Sequence, residues 1–562
     1  MTKFQFSRTM VPFVIGILAM ILVTTACGGG AGQAPTSAVV PTQAAAPTNL
    51  PQPTTEPPTT APQPTEAPTQ APTAGSGGTL RIGLDVDAGT GDPRLMRDTS
   101  AFRLRELVFD GLVDLKPDFT PAPALAESWD NPDDTTWVFH LRKGVKFHDG
   151  SELKAEDVKY TFDTILDEKL ASPNRAFYTP IKNIEVVDDY TVKFTLDQPY
   201  GPFLSYLTMS IVPKAIVEKD PAAFANNPVG TGPYKFVSWK RGDTISLEAN
   251  PDYWGGTPKI AKIDLKIVPD NSARVVALEA GDLDFVQSPL SPQDVTRLQT
   301  EGKFTVNRIP AAGYTYININ CADPILSDVK VRQALSYLVN REDILNSIYK
   351  GIGQVAKGPI PPGMWAYTPD LPSYDYNPEK AAQLLDEAGW KLGPDGKRSK
   401  NGQPLKLTIR THSEDPDRRQ LIEVLQAEFS NMGIEADTNA VDFPTYFADI
   451  QAGKYQLGVI GWLNLANPDQ AMYRQFTVDG AGNYGKCNNE EASNLIKQAR
   501  ATLDQAKAKE LYAQAAKIVV DNAFYIFVQY QEYIAIYRQD LHGFVMNPVQ
   551  NFRSMKDVTI GQ

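Results

Sequence analysis

The second half of the chain alternates between two patterns of hydrophobic and polar residues. Apolar residues recur at every second position in 405–410, 434–441 and 455–460, which predicts strands, whereas helical spacing runs through 417–432 and 444–451. The order strand, helix, strand, helix, strand predicts a mostly parallel sheet covered by helices, which is an α/β fold.

Further elements are predicted on either side of this unit. Apolar residues at i, i+3, i+4, i+7 and i+8 from Val331 predict one helix from about 328 to 349. A second helix is predicted over 378–388, because Pro378 stands at its start and Gly389 directly after its end. The remaining predictions are strands at 79–83, 137–142 and 191–196 and helices at 102–112 and 155–166.

Two loops, 411–413 and 462–469, follow predicted parallel strands. Ligands of open α/β sheets bind outside the carboxyl ends of the strands, so both loops are candidates for a binding site. The second loop reads Trp-Leu-Asn-Leu-Ala-Asn-Pro-Asp from Trp462. We favour the wall of a binding site here over the alternative, a turn beside a core tryptophan.

The N-terminus has the features of an export signal. Lys3 and Arg8 precede an apolar run of about 13 residues, and small residues lead to Cys27. The run is shorter than the roughly 20 residues of a membrane span. The sequence before Cys27 resembles a bacterial lipobox, although Thr24 stands where leucine is usual. We predict a lipoprotein signal peptide at 1–26 and lipidation of Cys27; plain secretion and a retained anchor are the alternatives.

Residues 27–78 consist almost wholly of Pro, Thr, Ala, Gln and Gly. Such a segment buries too little apolar surface to offset the entropy of ordering it. Its prolines favour extended polyproline II at roughly 3.1 Å per residue. We predict a disordered stalk that holds the following domains away from the membrane.

The net charge bears on the binding partner, and the cysteine content bears on a possible disulfide. A formal net charge of -12 argues against a nucleic-acid partner, since phosphate binding needs an electropositive face. After Cys27 only Cys321 and Cys487 remain, and the sequence leaves open whether they form a disulfide.

No catalytic or metal-binding motif is visible. The four histidines show no paired spacing, and there is no G-x-S-x-G sequence. The glycine-rich stretch 480–486 resembles part of a P-loop, but Cys487 stands where Ser or Thr must hold magnesium. We therefore expect no enzyme activity, no cofactor and no metal site, although glycosidase carboxylates carry no reliable local signature.

Several stretches together resemble family 5 of the extracellular solute-binding proteins, the peptide- and nickel-binding lipoproteins of ABC importers. The first block comprises LAESWD at 125–130, TWVFHLRKGVKFHDG at 136–150 and AEDVKY at 155–160. GTGPYKF at 230–236, NPDYW at 250–254 and VRQAL at 331–335 match further blocks in the same order. The resemblance covers the whole chain after the stalk.

The resemblance implies a two-lobed clamp of the periplasmic-binding-protein type (type II, cluster C), with an extra subdomain in its first lobe. Lobe I would comprise 79–316, including the subdomain at about 121–235, and would be completed by 532–562. Lobe II would be the insertion 317–531. A ligand would be enclosed between the lobes, and closure by a ligand that prefers the shut state is a population shift.

The family tryptophan that lines the cleft falls on Trp462. Peptide binders carry an aspartate three residues later, which pairs with the α-ammonium of the ligand, and that position is Leu465 here. Leucine cannot replace this charge. The resemblance implies Asn464 and Asn467 as hydrogen-bonding contacts, and His412 near the position of an arginine that binds the ligand carboxylate.

The resemblance implies further ligand contacts, each with a surface position as its alternative. Arg175 resembles a cleft arginine of the nickel-binding branch, and a surface arginine is the alternative. The loop 96–100 corresponds to a ligand-facing loop of lobe I, which makes Met96, Thr99 and Ser100 candidates, and a plain surface loop is the alternative.

We expect a monomeric, lipid-anchored, extracytoplasmic solute-binding protein that delivers a small ligand to an ABC permease. Peptides or peptide-like compounds are the first candidate ligands, followed by oligosaccharides, opines or a metal chelate. A surface-anchored hydrolase is the alternative from another class. The sequence does not identify the ligand or the permease, nor whether the stalk is glycosylated.

Overall fold

The computed structural model describes residues 77–548 and 552–561. They belong to one compact unit that extends to the C-terminus. The signal peptide, Cys27 and the stalk up to residue 76 lie outside the described residues. No helix within the described ranges has the length and apolar character needed to cross a bilayer.

The strands of the described chain are β1 Thr79–Leu84, β2 Val113–Leu115, β3 Pro121–Pro123, β4 Ala126–Asp133, β5 Thr136–Leu141, β6 Ile181–Asp188, β7 Thr191–Leu196, β8 Tyr234–Lys240, β9 Thr244–Ala249, β10 Lys262–Ile267, β11 Phe285–Val286, β12 Phe304–Ile319, β13 Gln354–Val355, β14 Lys391–Leu392, β15 Arg398–Lys400, β16 Gln403–Pro404, β17 Lys406–His412, β18 Glu435–Val441, β19 Leu457–Trp462, β20 Tyr525–Arg538, β21 Leu541–His542 and β22 Thr559–Ile560.

The α-helices are α1 Thr99–Val108, α2 Ala155–Leu166, α3 Arg175–Tyr178, α4 Phe203–Tyr206, α5 Lys214–Lys219, α6 Pro221–Asn226, α7 Asn271–Glu279, α8 Pro292–Glu301, α9 Val329–Tyr337, α10 Arg341–Ser347, α11 Pro378–Glu387, α12 Pro416–Asn431, α13 Phe443–Gln451, α14 Pro468–Phe476, α15 Glu490–Ala501 and α16 Gln505–Asp521.

Two long strands join both lobes into one sheet, in the order β18-β17-β19-β12-β20-β11-β1-β10-β9-β8. The first half of β12 pairs with the second half of β20 beside β11, whereas the second half of β12 lies between β20 and β19. The register between β12 and β20 shifts between Pro310 and Tyr314. Such an irregularity bends a strand, so we expect the hinge of the molecule at residues 311–313.

The predicted α/β unit of lobe II is confirmed. Strands β17, β18 and β19 are parallel and alternate along the chain with α12 and α13. Their side chains join α9, α10 and α11 in one hydrophobic core. Parallel strands covered by helices are buried on both faces, which agrees with the nearly continuous apolar residues of β19.

The single helix predicted from about 328 to 349 is wrong. Helix α9 ends at Tyr337 and α10 begins at Arg341. The Asn340 side chain accepts a hydrogen bond from the Asp343 backbone N–H and thereby caps the second helix. Both helices bury apolar residues in the same core, which is why the helical spacing continues across the break.

The subdomain of lobe I is built on the antiparallel sheet β4-β5-β7-β6, which carries α2 on one face. Inward-facing aromatic rings hold it together; Phe139 and Phe194 meet edge to face at 5.6 Å between ring centroids. The alternating strands predicted at 137–142 and 191–196 and the helix at 155–166 are confirmed as β5, β7 and α2.

Cys321 and Cys487 form a disulfide, with 5.1 Å between their Cα atoms. The bond fastens the end of β12 to the loop that precedes α15. The sequence left this pairing open, because 166 residues separate the two cysteines and only the fold brings them together.

Candidate functional site

The segment that follows β19 crosses the boundary between the lobes next to the hinge. The Leu465 backbone N–H donates to the carbonyl of Ala312, in the register shift of β12, at 2.9 Å. Asn464 has φ of 54°, a left-handed conformation that asparagine tolerates better than most residues. Its backbone N–H donates to the Tyr533 hydroxyl at 3.2 Å. Residues 463–466 are therefore held against both hinge strands.

Two cavities flank this segment, and each is lined by both lobes. We call the first the aromatic chamber. It has a volume of about 230 Å³. Its lobe II wall consists of Asn464, Ala466 and Gln470. Its lobe I wall is formed by Phe102, Arg105, Glu106, Asp114, Leu115, Asn174, Phe177, Tyr178, Ser205, Tyr206, Thr208, Met209 and Arg553.

An arginine at the C-terminal end of the chain organises the charges of the aromatic chamber. Arg553 forms ion pairs with Glu106 at 2.6 Å and with Asp110 at 2.7 Å, and Asp114 lies 3.8 Å away. Burial opposes ionisation of Glu106, but Arg553 and Arg105 outweigh it and lower the pKa of this carboxyl. For Asp114 burial dominates over Arg553 and raises the pKa.

Three side chains of the sequence blocks that resemble the family form hydrogen bonds to Asp110. Its carboxylate accepts hydrogen bonds from the Thr231 hydroxyl at 2.8 Å, the Tyr253 hydroxyl at 3.1 Å and the Trp254 indole at 3.0 Å. These side chains fix the wall of lobe I behind the chamber. Their role is structural: they hold the Asp110 carboxylate in place, and this carboxylate positions Arg553.

We call the second cavity the hinge chamber. It has a volume of about 270 Å³ and lies between the loop after β11, strand β20, the start of α12 and Leu463. Its polar side chains are Gln287, Ser288, Thr315, Tyr349, Asp415, Asp417, Arg418, Gln529, Gln531 and Glu532. Burial, reinforced by Asp415, raises the pKa of Asp417 to about 6 against the opposing charge of Arg418.

The lobes also touch beyond the chambers, around Arg500 of α15. The Gly201 backbone N–H of the subdomain donates to the Arg500 carbonyl at 2.8 Å. The Arg500 guanidinium lies 3.7 Å from the ring centroid of Tyr473 and 3.6 Å from the Asp469 carboxylate. Tyr206 of the subdomain donates to the same carboxylate at 3.3 Å. This group of contacts ties the subdomain to lobe II.

Trp462 has the half-buried position of a residue at the end of a strand. Its ring stacks on Tyr316, with 6.4 Å between centroids and 7° between planes, and the Arg474 guanidinium lies 5.6 Å from its centroid. The ring lines neither of the two chambers. Its role as a ligand contact stays a prediction.

The two predicted amides have different positions. Asn464 lines the aromatic chamber, where it faces lobe I. Asn467 does not: its side chain is 3% exposed and accepts from the Gln470 backbone N–H at 2.9 Å, which caps α14. The sequence Asn-Pro at a helix start has this capping role, and the role of Asn467 as a ligand contact stays a prediction.

His412 ends β17 and contacts Arg418 instead of an open cavity. Its Nε2 lies 2.9 Å from a guanidinium nitrogen of Arg418, and its ring meets Phe443 edge to face at 5.4 Å. Burial and the charge of Arg418 lower the pKa of His412. Arg418, six residues farther along the chain in the first turn of α12, lines the hinge chamber in its place. No sequence motif marks this arginine.

Four other predicted contacts are placed away from the chambers. Arg175 pairs with Glu168 at 3.1 Å and its side chain is 40% exposed, so its role as a ligand contact stays a prediction. Met96 is 1% exposed and belongs to the core of lobe I. Ser100 is buried in α1, and Thr99 begins this helix. The loop 96–100 thus anchors α1 by its side chains.

The side chains that line the chambers were mostly missed by the sequence analysis. Arg553, Asp114 and Gln531 stand far apart in the chain and follow no short motif. Only the fold brings them together. Within residues 77–548 and 552–561, no group of three or more His, Cys, Asp or Glu side chains is arranged to hold a metal ion.

Comparison with known proteins places these features in a family. Residues 120–484 match the family model described as bacterial extracellular solute-binding proteins, family 5 Middle. The dipeptide-binding protein of Escherichia coli strain K12 is 31% identical over 473 residues, which cover 79% of this chain and 87% of that protein.

Solved structures of similar proteins have the same fold. NikZ from Campylobacter jejuni, in complex with Ni(L-His), superposes with a TM-score of 0.77 at 28% identity and covers 86% of this chain and 99% of its own. The oligopeptide-binding protein AppA from Bacillus subtilis, in complex with a nonapeptide, has a TM-score of 0.75 at 28% identity with the same coverage. The architecture is therefore the two-lobed clamp, and the chain belongs to family 5 of the bacterial extracellular solute-binding proteins.

Proposed function

We propose that this protein is the extracytoplasmic, lipid-anchored binding component of an ABC importer. It captures a peptide or peptide-like solute between its lobes and delivers it to the permease. The observation that carries the proposal is the pair of chambers around residues 463–466, because both are lined by both lobes and adjoin the hinge. A ligand held there contacts both halves of the clamp and favours the closed state.

Relatives support the ligand class. The Escherichia coli relative is named a dipeptide-binding protein, and AppA was solved with a nonapeptide. Leu465, at the position where peptide binders are expected to carry an aspartate, is 4% exposed in a hydrophobic core and lines neither chamber. A solute with a free α-ammonium finds no carboxylate at this position.

We propose binding without catalysis. A glycosidase needs two carboxyl groups roughly 5–9.5 Å apart on either side of the scissile bond. The two chamber carboxyls with a raised pKa, Asp114 and Asp417, line different chambers. In the aromatic chamber Glu106 forms ion pairs with Arg553 and Arg105.

The function is tested by identifying the solute that accompanies the protein. We expect mass spectrometry of protein purified from its native host to detect a small molecule that is released on unfolding. The variant Ala466→Trp fills the aromatic chamber and lowers the bound fraction at least tenfold. Ala452→Trp, at an exposed position after α13, is the matched control. Protein without any bound solute, or a solute chemically altered by the protein, contradicts the proposal.

A further inference from the structure

The hinge chamber contains polar groups without partners, which the rest of the site does not explain. Gln287 lies in the loop after β11 and is 3% exposed. Within the described part of the chain, neither its side-chain nitrogen nor its side-chain oxygen has a hydrogen-bond partner. Buried polar groups are nearly always bonded in native proteins, so such an amide marks a place where a ligand or water is expected.

Two glutamines of β20 add further acceptors to the same cavity. Gln529 donates from its side-chain nitrogen to the Ile352 carbonyl at 2.5 Å, which fixes the orientation of its amide. Gln531 contacts the Thr315 hydroxyl through its nitrogen at 3.2 Å. The side-chain oxygens of both residues have no partner in the described chain. Three amide oxygens and one amide nitrogen are thus available to a bound group.

The charges of the chamber argue against an anionic group. Its one arginine, Arg418, is engaged by Asp415 at 3.2 Å and by His412. Glu532 pairs with Arg308, and Asp417 adds a further carboxyl. A carboxylate or phosphate would meet mainly acceptors and negative charge. The unpaired oxygens instead call for a group that donates hydrogen bonds.

The unpaired side-chain nitrogen of Gln287 distinguishes between the kinds of ligand group that donate hydrogen bonds. An ammonium has donors but no acceptor, so it would satisfy the oxygens and leave the Gln287 N–H groups unbonded. A trans peptide group both donates and accepts, but its N–H and C=O point in opposite directions and cannot both meet one side-chain amide. Two neighbouring hydroxyls, each of which donates and accepts, match both ends of one amide. Apolar side chains, including Leu290, Ile352 and Ile534, cover the rest of the wall and suit the C–H faces of a ring.

We propose that the hinge chamber is a subsite for a neutral polyhydroxylated group, such as the vicinal diol of a saccharide ring, bound by Gln287, Gln529 and Gln531. This inference rests on the proposed function, since it identifies the chemistry of one part of the transported solute. The aromatic chamber on the other side of residues 463–466 holds the remainder.

The variant Gln287→Leu tests the subsite. It removes an amide that has no partner in the free protein, so the chain gains stability and the melting temperature stays equal or rises. Binding of a disaccharide falls at least tenfold. The probes are cellobiose, maltose and xylobiose, titrated by calorimetry beside Ala-Ala and trialanine. Gln539→Leu is the matched control, because Gln539 lies at the surface and its side-chain nitrogen donates to the Gly302 carbonyl.

We expect at least one disaccharide to bind the wild type and Gln539→Leu equally. Peptide binding without saccharide binding overturns the subsite and leaves the proposed function intact. Saccharide binding that Gln287→Leu does not weaken also overturns the subsite. A protein that binds neither class of probe and carries no co-purified solute contradicts the proposed function itself.

Discussion

A single buried leucine sets the limits of ligand recognition. Leu465 belongs to the core around α14 and α16, and its backbone N–H is bonded to the hinge. Its side chain therefore has a packing role that a carboxylate could not fill.

We predict that wild-type protein binds Ala-Ala weakly and that Leu465→Asp does not restore binding. The new carboxylate would be buried without a partner and would cost about 3 kcal/mol of unfolding free energy. Leu392→Asp is the control, since Leu392 is 57% exposed, lies outside both chambers, and a change there costs under about 0.5 kcal/mol. Calorimetry and urea unfolding check both parts; tight Ala-Ala binding by either protein refutes the role given to Leu465.

A second prediction concerns Asp469 between the lobes. Burial raises its pKa from 3.8 to about 6, against the opposing charge of Arg500. Between about pH 4 and 6 the folded protein holds a proton that the unfolded chain has released. The stabilisation from this group is therefore complete below about pH 4 and is lost as the pH rises through 6. The shift corresponds to ~3 kcal/mol at most.

Urea unfolding from pH 4 to 7 measures this contribution. Asp469→Asn should flatten the dependence of stability on pH in this window, because the amide does not titrate. Asp134→Asn, at an exposed position of the subdomain, should leave it unchanged. Identical profiles for wild type and Asp469→Asn would show that the carboxyl titrates normally.

Residue roles were harder to predict than residue positions. Asn467 shows why: an asparagine before a proline fits a ligand contact and a helix cap equally well, and the bond to Gln470 shows the cap. Met96 and Ser100 are buried, and the sequence does not show which side of the segment 96–100 is buried.

At the scale of elements, the hydrophobic periodicity predicted helices and strands correctly where the capping residues agreed with it. The strands and helices of lobe II follow their hydrophobic spacing closely, because each element packs one face on a common core. The break between α9 and α10 was missed although Asn340 marks it, since the spacing of apolar residues is continuous across the cap.

The hinge offers a prediction at the scale of strands. A Cβ atom on Gly313 would meet the Trp462 carbonyl of the neighbouring strand. We therefore expect Gly313→Ala to push β12 and β19 apart and to weaken solute binding at least tenfold while both lobes stay folded. Gly89→Ala is the control, because its Cβ would contact only the Asp98 carboxylate at 3.2 Å.

Small-angle scattering and calorimetry distinguish the outcomes for Gly313. A larger radius of gyration in the presence of ligand, together with weaker binding, agrees with a clamp that closes poorly. Unchanged affinity and unchanged dimensions would place the hinge elsewhere. Loss of cooperative unfolding would mean that the substitution disrupts the sheet and not only the hinge motion.

At the scale of the whole molecule, the resemblance of short blocks predicted the clamp, and local patterns alone did not. Periodicity indicated an α/β unit in the second half, but the return of the chain to lobe I depends on β20 pairing with both β11 and β12. That pairing joins residues distant in sequence, and no local pattern encodes it. The chambers depend on the same pairing and could not be predicted either.

The two crossing strands also govern the order in which the polypeptide can fold. Strand β11 lies near the middle of the chain, yet the neighbour that covers its open edge is β20, close to the C-terminus. The second half of β12 in lobe II pairs with the same strand, so both lobes keep an exposed strand edge until nearly the whole chain has been exported. Such distant pairing slows folding and invites aggregation. A chaperone that shields these edges during secretion would therefore act on both lobes.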